Sequence, residues 1–214
     1  MGGLKVFSPV PHKCMRLVTH SVRPQPKSTP MTSSKIQHCR QCGTHVEHRV
    51  PDDGDTKVRA VCPACHTIHY ENPLNVVGTV PVWGPQGEQV LLCKRNIEPR
   101  KGKWTLPAGF MELGESTLQG AWRETIEEAG AQIADLQLFT VLNVVRVGQV
   151  HLYYRAQLLS DVFDPGYETM EARLFTEDEI PWDELAFRTV KTTLEHYFAD
   201  RRTGQFGMHT GDIS

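Results

Sequence analysis

From Val76 onward the apolar residues fall into short runs of strand length, separated by polar, glycine-bearing turns. Val76 to Val82 and Val90 to Lys94 flank Trp83-Gly-Pro-Gln-Gly-Glu88, a pattern that predicts a β-hairpin with a longer loop. Between Ser116 and Ala129 the period changes. Leu118, Ala121, Trp122, Thr125 and Ala129 recur at helical spacing and predict a helix with these residues on one apolar face, stopped by Gly130. Leu136 to Val147 and Val150 to Leu158 predict two strands paired around Gly148-Gln149. Ala172 to Phe175 predicts a short strand after the Asp164-Pro-Gly166 loop. Ala186 to Arg201 reads as an amphipathic helix followed by a polar tail. Antiparallel strands with one embedded and one terminal helix predict an α/β sandwich, not a doubly wound sheet.

Upstream of Pro73 the texture differs, and four segments are expected: an extension over 1–34, a small module over 35–72, a catalytic domain over 73–204 and a tail over 205–214. From the start to Val46 there is no acidic residue, whereas Lys5, Lys13, Arg16, Arg23, Lys27, Lys35 and Arg40 are basic. Prolines and hydroxyl residues interrupt this stretch, and it lacks the continuous apolar core of a secretory signal. Two readings remain for it: an upstream start with translation beginning at Met31, or an organellar transit peptide. Disorder is expected before about Ile36 under either. A cytoplasmic location follows from the first reading and an organellar one from the second.

Composition narrows the classes further. A hydrophobic fraction of 39% is compatible with a globular fold, and a net charge of −2 argues against bulk attraction to nucleic acid. No apolar run approaches the roughly 20 residues of a membrane span. Of the six cysteines, Cys39, Cys42, Cys62 and Cys65 form two C-x-x-C pairs with 19 residues between them. Cys14 and Cys93 stand alone, and Cys93 lies within a strand-like run where an inert buried thiol is expected. The doubled knuckle, Cys39-Arg-Gln-Cys42-Gly-Thr-His-Val and Cys62-Pro-Ala-Cys65-His-Thr-Ile-His, fits a tetrahedral structural Zn²⁺ site. Four thiolates close such a site, so His66 and His69 are expected to be surface or hydrogen-bonding residues. The module mixes Arg40, Lys57 and Arg59 with Glu47, Asp52, Asp53 and Asp55, and offers few aromatics to stack bases. A scaffold or homodimerisation role is therefore expected of this zinc ribbon, in preference to nucleic-acid binding.

The chemistry concentrates between Gly109 and Ala131. Successive helical residues turn by about 100°, so Glu124, Glu127 and Glu128 share one face. Glu124 and Glu128 are one turn apart, where like charges repel by a few tenths of a kcal/mol. A hard divalent cation would convert that repulsion into coordination, and Mg²⁺ suits carboxylates that share it with substrate phosphates. A solvated acidic helix face is the plainer reading of three glutamates alone. Upstream, Lys94, Arg95, Arg100, Lys101 and Lys103 could hold phosphate or simply form a solvated basic loop.

Together these residues resemble the Nudix box, G-x5-E-x7-R-E-U-x-E-E-x-G-U, with U a bulky aliphatic residue. Gly109, Glu115, Arg123, Glu124, Glu127, Glu128 and Gly130 match every fixed letter. A chance match in a chain of this size is of order one in a million. Thr125 and Ala131 depart from the aliphatic positions, which reads as altered packing. The resemblance implies a Nudix α/β/α sandwich with a mixed sheet, and a loop–helix–loop holding Mg²⁺ or Mn²⁺. It implies Glu124, Glu128 and the carbonyl of Ala108 as metal ligands, with Glu127 as a further ligand or the group orienting the attacking water. Glu115 and Arg123 are implied to be a structural pair. A later acid often completes such sites; Glu168 and Glu171 are candidates, Glu168 the preferred one. Lys94, Arg95 and Phe110 are the expected substrate contacts.

A zinc ribbon joined to such a domain resembles two subclasses. NADH pyrophosphatases carry an S-Q-P-W type motif after the box, and Leu142-Asn-Val-Val-Arg-Val-Gly-Gln149 stands in its place here. Bacterial and plant plastid FAD/ADP-ribose pyrophosphatases are similar through Tyr70-Glu-Asn-Pro73, Trp104-Thr-Leu-Pro-Ala-Gly109, Glu179-Ile-Pro181 and His209-x-Gly211. The resemblance therefore implies a small dinucleotide or nucleotide-sugar substrate, FAD or ADP-ribose, cleaved with release of AMP. Two alternatives stay open: NADH or capped-RNA hydrolysis, and a non-catalytic protein that binds ADP-ribose-like ligands.

Overall fold

The computed structural model describes residues 35–214. The expectations for the extension over 1–34 lie outside the described residues.

The first module is built from three short antiparallel strands, β1 (Glu47–Arg49), β2 (Arg59–Val61) and β3 (Ile68–His69), in the order β1-β2-β3. Its buried core is only Cys39, Val46, Ala60 and Cys62, with Ile36 packed against them. So few apolar side chains cannot offset the entropy of ordering some 35 residues, and modules of this size need a metal or disulfides.

The second module is an eight-stranded mixed sheet. Its strands are β4 (Leu74–Trp83), β5 (Gln89–Arg95), β6 (Trp104–Thr105), β7 (Ala108–Phe110), β8 (Ile133–Val144), β9 (Gln149–Leu158), β10 (Thr169–Thr176) and β11 (His209–Asp212). The main path runs β10-β5-β4-β9-β8-β11, with β6 on β5 and β7 on β4. The β4/β9 and β11/β8 pairs are parallel, which corrects the expectation of purely antiparallel strands; the others are antiparallel. The predicted hairpin is present only at its tip, Val82 against Val90 and Trp83 against Gln89. Along its length β4 lies instead beside β9, from Leu74↔Gln149 to Val82↔Gln157. The polar tail also differs from expectation: its last residues form β11, His209↔Thr140 through Asp212↔Asn143, and extend the sheet edge.

Two helices cover the two faces, α1 (Thr117–Ala129) and α2 (Arg188–Thr203). Strand alternation divides the side chains between them. Val77 and Tyr154 pack against Ala121 of α1. Val80, Val82, Val90, Leu92, Leu106, Phe139, Tyr153 and Phe175 cluster with Val190, Leu194, Tyr197 and Phe198 of α2. The result is the expected α/β/α sandwich. The expected apolar face of α1 needs correcting. Its buried residues are Gly120, Ala121, Thr125, Glu128 and Ala129, all but one of them small, so the helix lies close on β4. Leu118 and Trp122 stay 43% and 47% exposed, rotated onto the flank away from the glutamates. Thr125 occupies an aliphatic position because its hydroxyl is satisfied: it sits 2.7 Å from Thr79 Oγ1 and donates to the Ala121 carbonyl at 2.8 Å.

Candidate active site

Helix α1 starts and stops where its caps dictate. Ser116 Oγ accepts from the Gln119 N–H at 3.2 Å while the Gln119 side chain accepts from the Ser116 N–H at 2.8 Å. Gly130 closes the other end in the left-handed region, φ 60°. With the helix held at both ends, its glutamate face meets β7.

Arg123 organises that face. Its guanidinium grips Glu115 with two hydrogen bonds, Nε to Oε2 at 3.0 Å and Nη2 to Oε1 at 2.9 Å. The same group donates to Glu124 Oε1 at 2.7 Å, to Glu127 Oε2 at 3.1 Å and to the Phe110 carbonyl at 3.2 Å. Arg123 thereby ties the loop 110–115 to the helix. Its hydrogen bonds hold the Glu115 carboxyl down at about 2, with the Glu112 N–H helping.

Glu128 has the opposite environment. It is buried, and its Oε2 accepts from the Ala108 N–H at 2.9 Å. Burial pushes its carboxyl up to about 8; the neighbouring Glu124 and Glu168 charges add to this, while the Ala108 N–H and Arg95 oppose it. Burial likewise raises Glu124, against the pull of Arg123. Glu124 lies so close to Gly109 that a Cβ there would overlap its carboxylate. This accounts for glycine at the first fixed position of the box: any side chain would displace Glu124. Two partly or wholly buried carboxylates thus flank the Ala108–Gly109 peptide, with Glu127 exposed beside them. Buried acids in this arrangement are a donor set that a hard cation would relieve. Glu124 and Glu128, beside the Ala108–Gly109 peptide, are the side chains here that could hold one.

The later acids separate. The Glu168 charge reaches both Glu124 and Glu128. Glu171 instead pairs across the sheet with Lys94. Among the expected substrate contacts, Arg95 is near enough to act on Glu128 electrostatically, and its guanidinium stacks on Phe187 at 5.2 Å. Phe110 is half-exposed at the site's rim. Lys94 is not brought to the glutamates: its ammonium lies over the Trp104 ring at 5.6 Å, within the α2-side cluster. Tyr167 and Asn96, which the sequence reading passed over, border Glu168 directly. Tyr167 Oη donates to Glu168 Oε1 at 2.6 Å, and the Asn96 N–H donates to the Glu168 carbonyl at 2.7 Å. The signal available was weak, a tyrosine beside a candidate ligand in a Pro-Gly loop.

The ribbon's thiols form a second centre. Cys39 and Cys65 sulfurs are 3.6 Å apart and those of Cys42 and Cys62 3.4 Å, and all four lie within 4.8 Å of one another. None is in a disulfide. Tetrahedral zinc with bonds of about 2.3 Å places sulfurs about 3.8 Å apart, so the thiols fit that ion. The two knuckles repeat one another. Gly43 N–H donates to the Cys39 carbonyl at 2.9 Å, and His66 N–H to the Cys62 carbonyl at 3.0 Å. Among the described residues this is the one cluster of three or more such side chains whose ligand atoms already converge.

Comparison with known proteins identifies both modules. The family model of the NUDIX domain matches residues 73–197. The chain belongs to the Nudix hydrolase family. The Nudix N-terminal zinc-ribbon model matches residues 37–71, directly before it. A Nudix hydrolase of Nitrosomonas europaea is 49% identical, with a TM-score of 0.78, covering 83% of this chain and 99% of that one. The NAD-capped RNA hydrolase NudC of Vibrio vulnificus is 26% identical over 151 residues, 68% of this chain and 53% of that protein. That of Pseudomonas aeruginosa (strain LESB58) is 28% identical over 169 residues, 78% and 56%. This Nudix chain therefore spans about half the length of those curated relatives. An ADP-ribose pyrophosphatase of Streptococcus suis, 20% identical with a TM-score of 0.52 over 66% of this chain and all of that one, shares the fold.

Proposed function

We propose that this protein is a divalent-metal-dependent diphosphatase that hydrolyses nucleoside diphosphate derivatives, FAD or ADP-ribose foremost, and releases AMP. One observation supports the chemistry above all: Glu124 and Glu128 flank the Ala108–Gly109 peptide, withdrawn from water and without full charge compensation. Glu124, Glu128 and the Ala108 carbonyl would hold Mg²⁺ or Mn²⁺, with Glu168 as the added acid. When bound, the ion neutralises diphosphate oxygens and acidifies a coordinated water. Glu127, exposed and one turn from Arg123, is the base that orients the attacking water and takes its proton. Arg123 holds Glu115, Glu124 and Glu127 in register, and Arg95 supplies positive charge for the leaving phosphate.

The capped-RNA reading is kept as the second one, because the curated relatives are named for that activity and match across more than two thirds of this chain. The stretch after the box, Leu142 to Gln149, and the mixed charge of the ribbon favour the smaller substrates.

The test incubates the zinc-loaded protein with FAD, ADP-ribose, NADH, a diadenosine polyphosphate and NAD-capped RNA, each with Mg²⁺ or Mn²⁺. AMP or decapped RNA is quantified, with Glu127→Gln in parallel. Metal-dependent AMP release from FAD or ADP-ribose that collapses in the variant is the expected result. Preference for NADH or capped RNA would transfer the assignment to the second reading. Ligand binding without turnover of any substrate would overturn the hydrolase.

A further inference from the structure

The loop between β9 and β10 is fastened to the catalytic helix more firmly than its polar, exposed sequence requires. Asp164 N–H donates to the Ala129 carbonyl at 3.2 Å. Gly166 approaches the Glu127 carbonyl so closely that a Cβ would overlap it, so the loop rests on the last turn of α1. Its other end is held by β5: Asn96 Nδ2 donates to the Tyr167 carbonyl at 2.8 Å and the Asn96 N–H to that of Glu168.

Within this anchored loop Tyr167 is 81% exposed. A ring so exposed gains little from packing. Its one side-chain hydrogen bond is the 2.6 Å bond from its hydroxyl to Glu168 Oε1. That bond engages one carboxylate oxygen of a residue whose charge acts on both Glu124 and Glu128.

We propose that Tyr167 is a positioning residue, whose hydroxyl holds the Glu168 carboxylate in the orientation that completes the divalent-cation site. This rests on Glu168 being the added acid of the proposed active site. A glutamate on a loop otherwise samples several rotamers, and a fixed partner removes that freedom before the ion arrives.

The experiment titrates Mn²⁺ into zinc-loaded protein and reads free Mn²⁺ by its electron paramagnetic resonance signal. With the thiolates occupied by zinc, the count reports the glutamate site. Tyr167→Phe, Glu168→Gln and the double variant are compared with the parent. Loss of an outer-shell partner weakens metal binding by about tenfold. Tyr167→Phe is expected to lose about that much affinity, Glu168→Gln at least as much, and the double variant no more than Glu168→Gln alone. Turnover by Tyr167→Phe should recover at saturating Mn²⁺ with an unchanged KM. Parent-like Mn²⁺ affinity in Tyr167→Phe, with Glu168→Gln impaired, would overturn the positioning role alone. Losses that multiply in the double variant would overturn it too, since Tyr167 would then act by another route. Parent-like affinity in Glu168→Gln would remove Glu168 from the site, and this inference with it, while leaving Glu124, Glu127 and Glu128 untouched.

Discussion

The ribbon and the glutamate helix both gather metal-binding side chains, but under opposite physical terms. In the ribbon, two equivalent knuckles bring four sulfurs together, and backbone N–H groups already point at them: Gln41 N–H to Cys39 Sγ at 3.3 Å, Cys65 N–H to Cys62 Sγ at 3.5 Å. The metal there replaces a core that the module is too small to build. Helix α1 already packs through Ala121 on Val77 and Tyr154, and its carboxylates are engaged by protein donors, Glu124 and Glu127 by Arg123 and Glu128 by the Ala108 N–H. A closed set of soft ligands stabilises a fold. An open set of hard ligands, kept at some electrostatic cost, leaves coordination positions for substrate and water.

The largest effect that could break this contrast is removal of the ribbon metal. Structural zinc contributes about 10–16 kcal/mol of apparent binding free energy in small modules. Cys62→Ser, at a fully buried position, should therefore release one zinc per chain and unfold residues 37–71, with the thermal transition of the Nudix domain retained. Metal analysis and amide exchange would show it; a ribbon that stays protected without zinc contradicts the contrast. Next in size, Glu127→Gln should lower turnover by about 10²–10⁴-fold with unchanged zinc content and melting temperature. A comparable fall in stability would mean that the glutamate is structural.

Arg123→Ala sharpens the contrast from the other side. Three carboxylates lose their partner, and the cost is expected at about 2 kcal/mol, below buried-pair values because the guanidinium keeps some solvent contact. The Glu115 share follows pH. Its folded value of about 2 lies below the unfolded value of about 4.3, so its stabilisation is full above the latter and lost as pH falls towards the former. Acid denaturation of Arg123→Ala should lack that component. The last test concerns Glu128, whose folded value of about 8 lies above the unfolded one. With zinc kept and Mg²⁺ and Mn²⁺ omitted, the parent should lose stability as pH rises from about 4.3 towards about 8, whereas Glu128→Gln should not. Added Mn²⁺ at the upper pH should remove the parent's deficit. Equal melting curves for both proteins across that range would show that burial does not strain Glu128.

The sequence by itself determined a good deal: the two modules, the two-helix framework and the residues of the box. Each of these rests on local chemistry. Cysteine spacing sets the knuckles, the Ser116 box and Gly130 bound the helix, and a turn of about 100° per residue places Glu124, Glu127 and Glu128 together. Only the tertiary structure decided which helix flank meets the sheet, because Leu118 and Trp122 look like core residues by hydropathy while close packing on β4 selects Gly120, Ala121 and Thr125. It alone set β4 beside β9 and β11 beside β8, parallel pairings between residues some 70 positions apart that no short-range pattern encodes. It also separated Lys94 from Arg95 and Glu171 from Glu168, neighbours of like charge whose roles depend on strand alternation and one bulge near Met170. Charge and spacing are written along the chain, but the face on which a side chain emerges is fixed by register, which only the assembled sheet supplies.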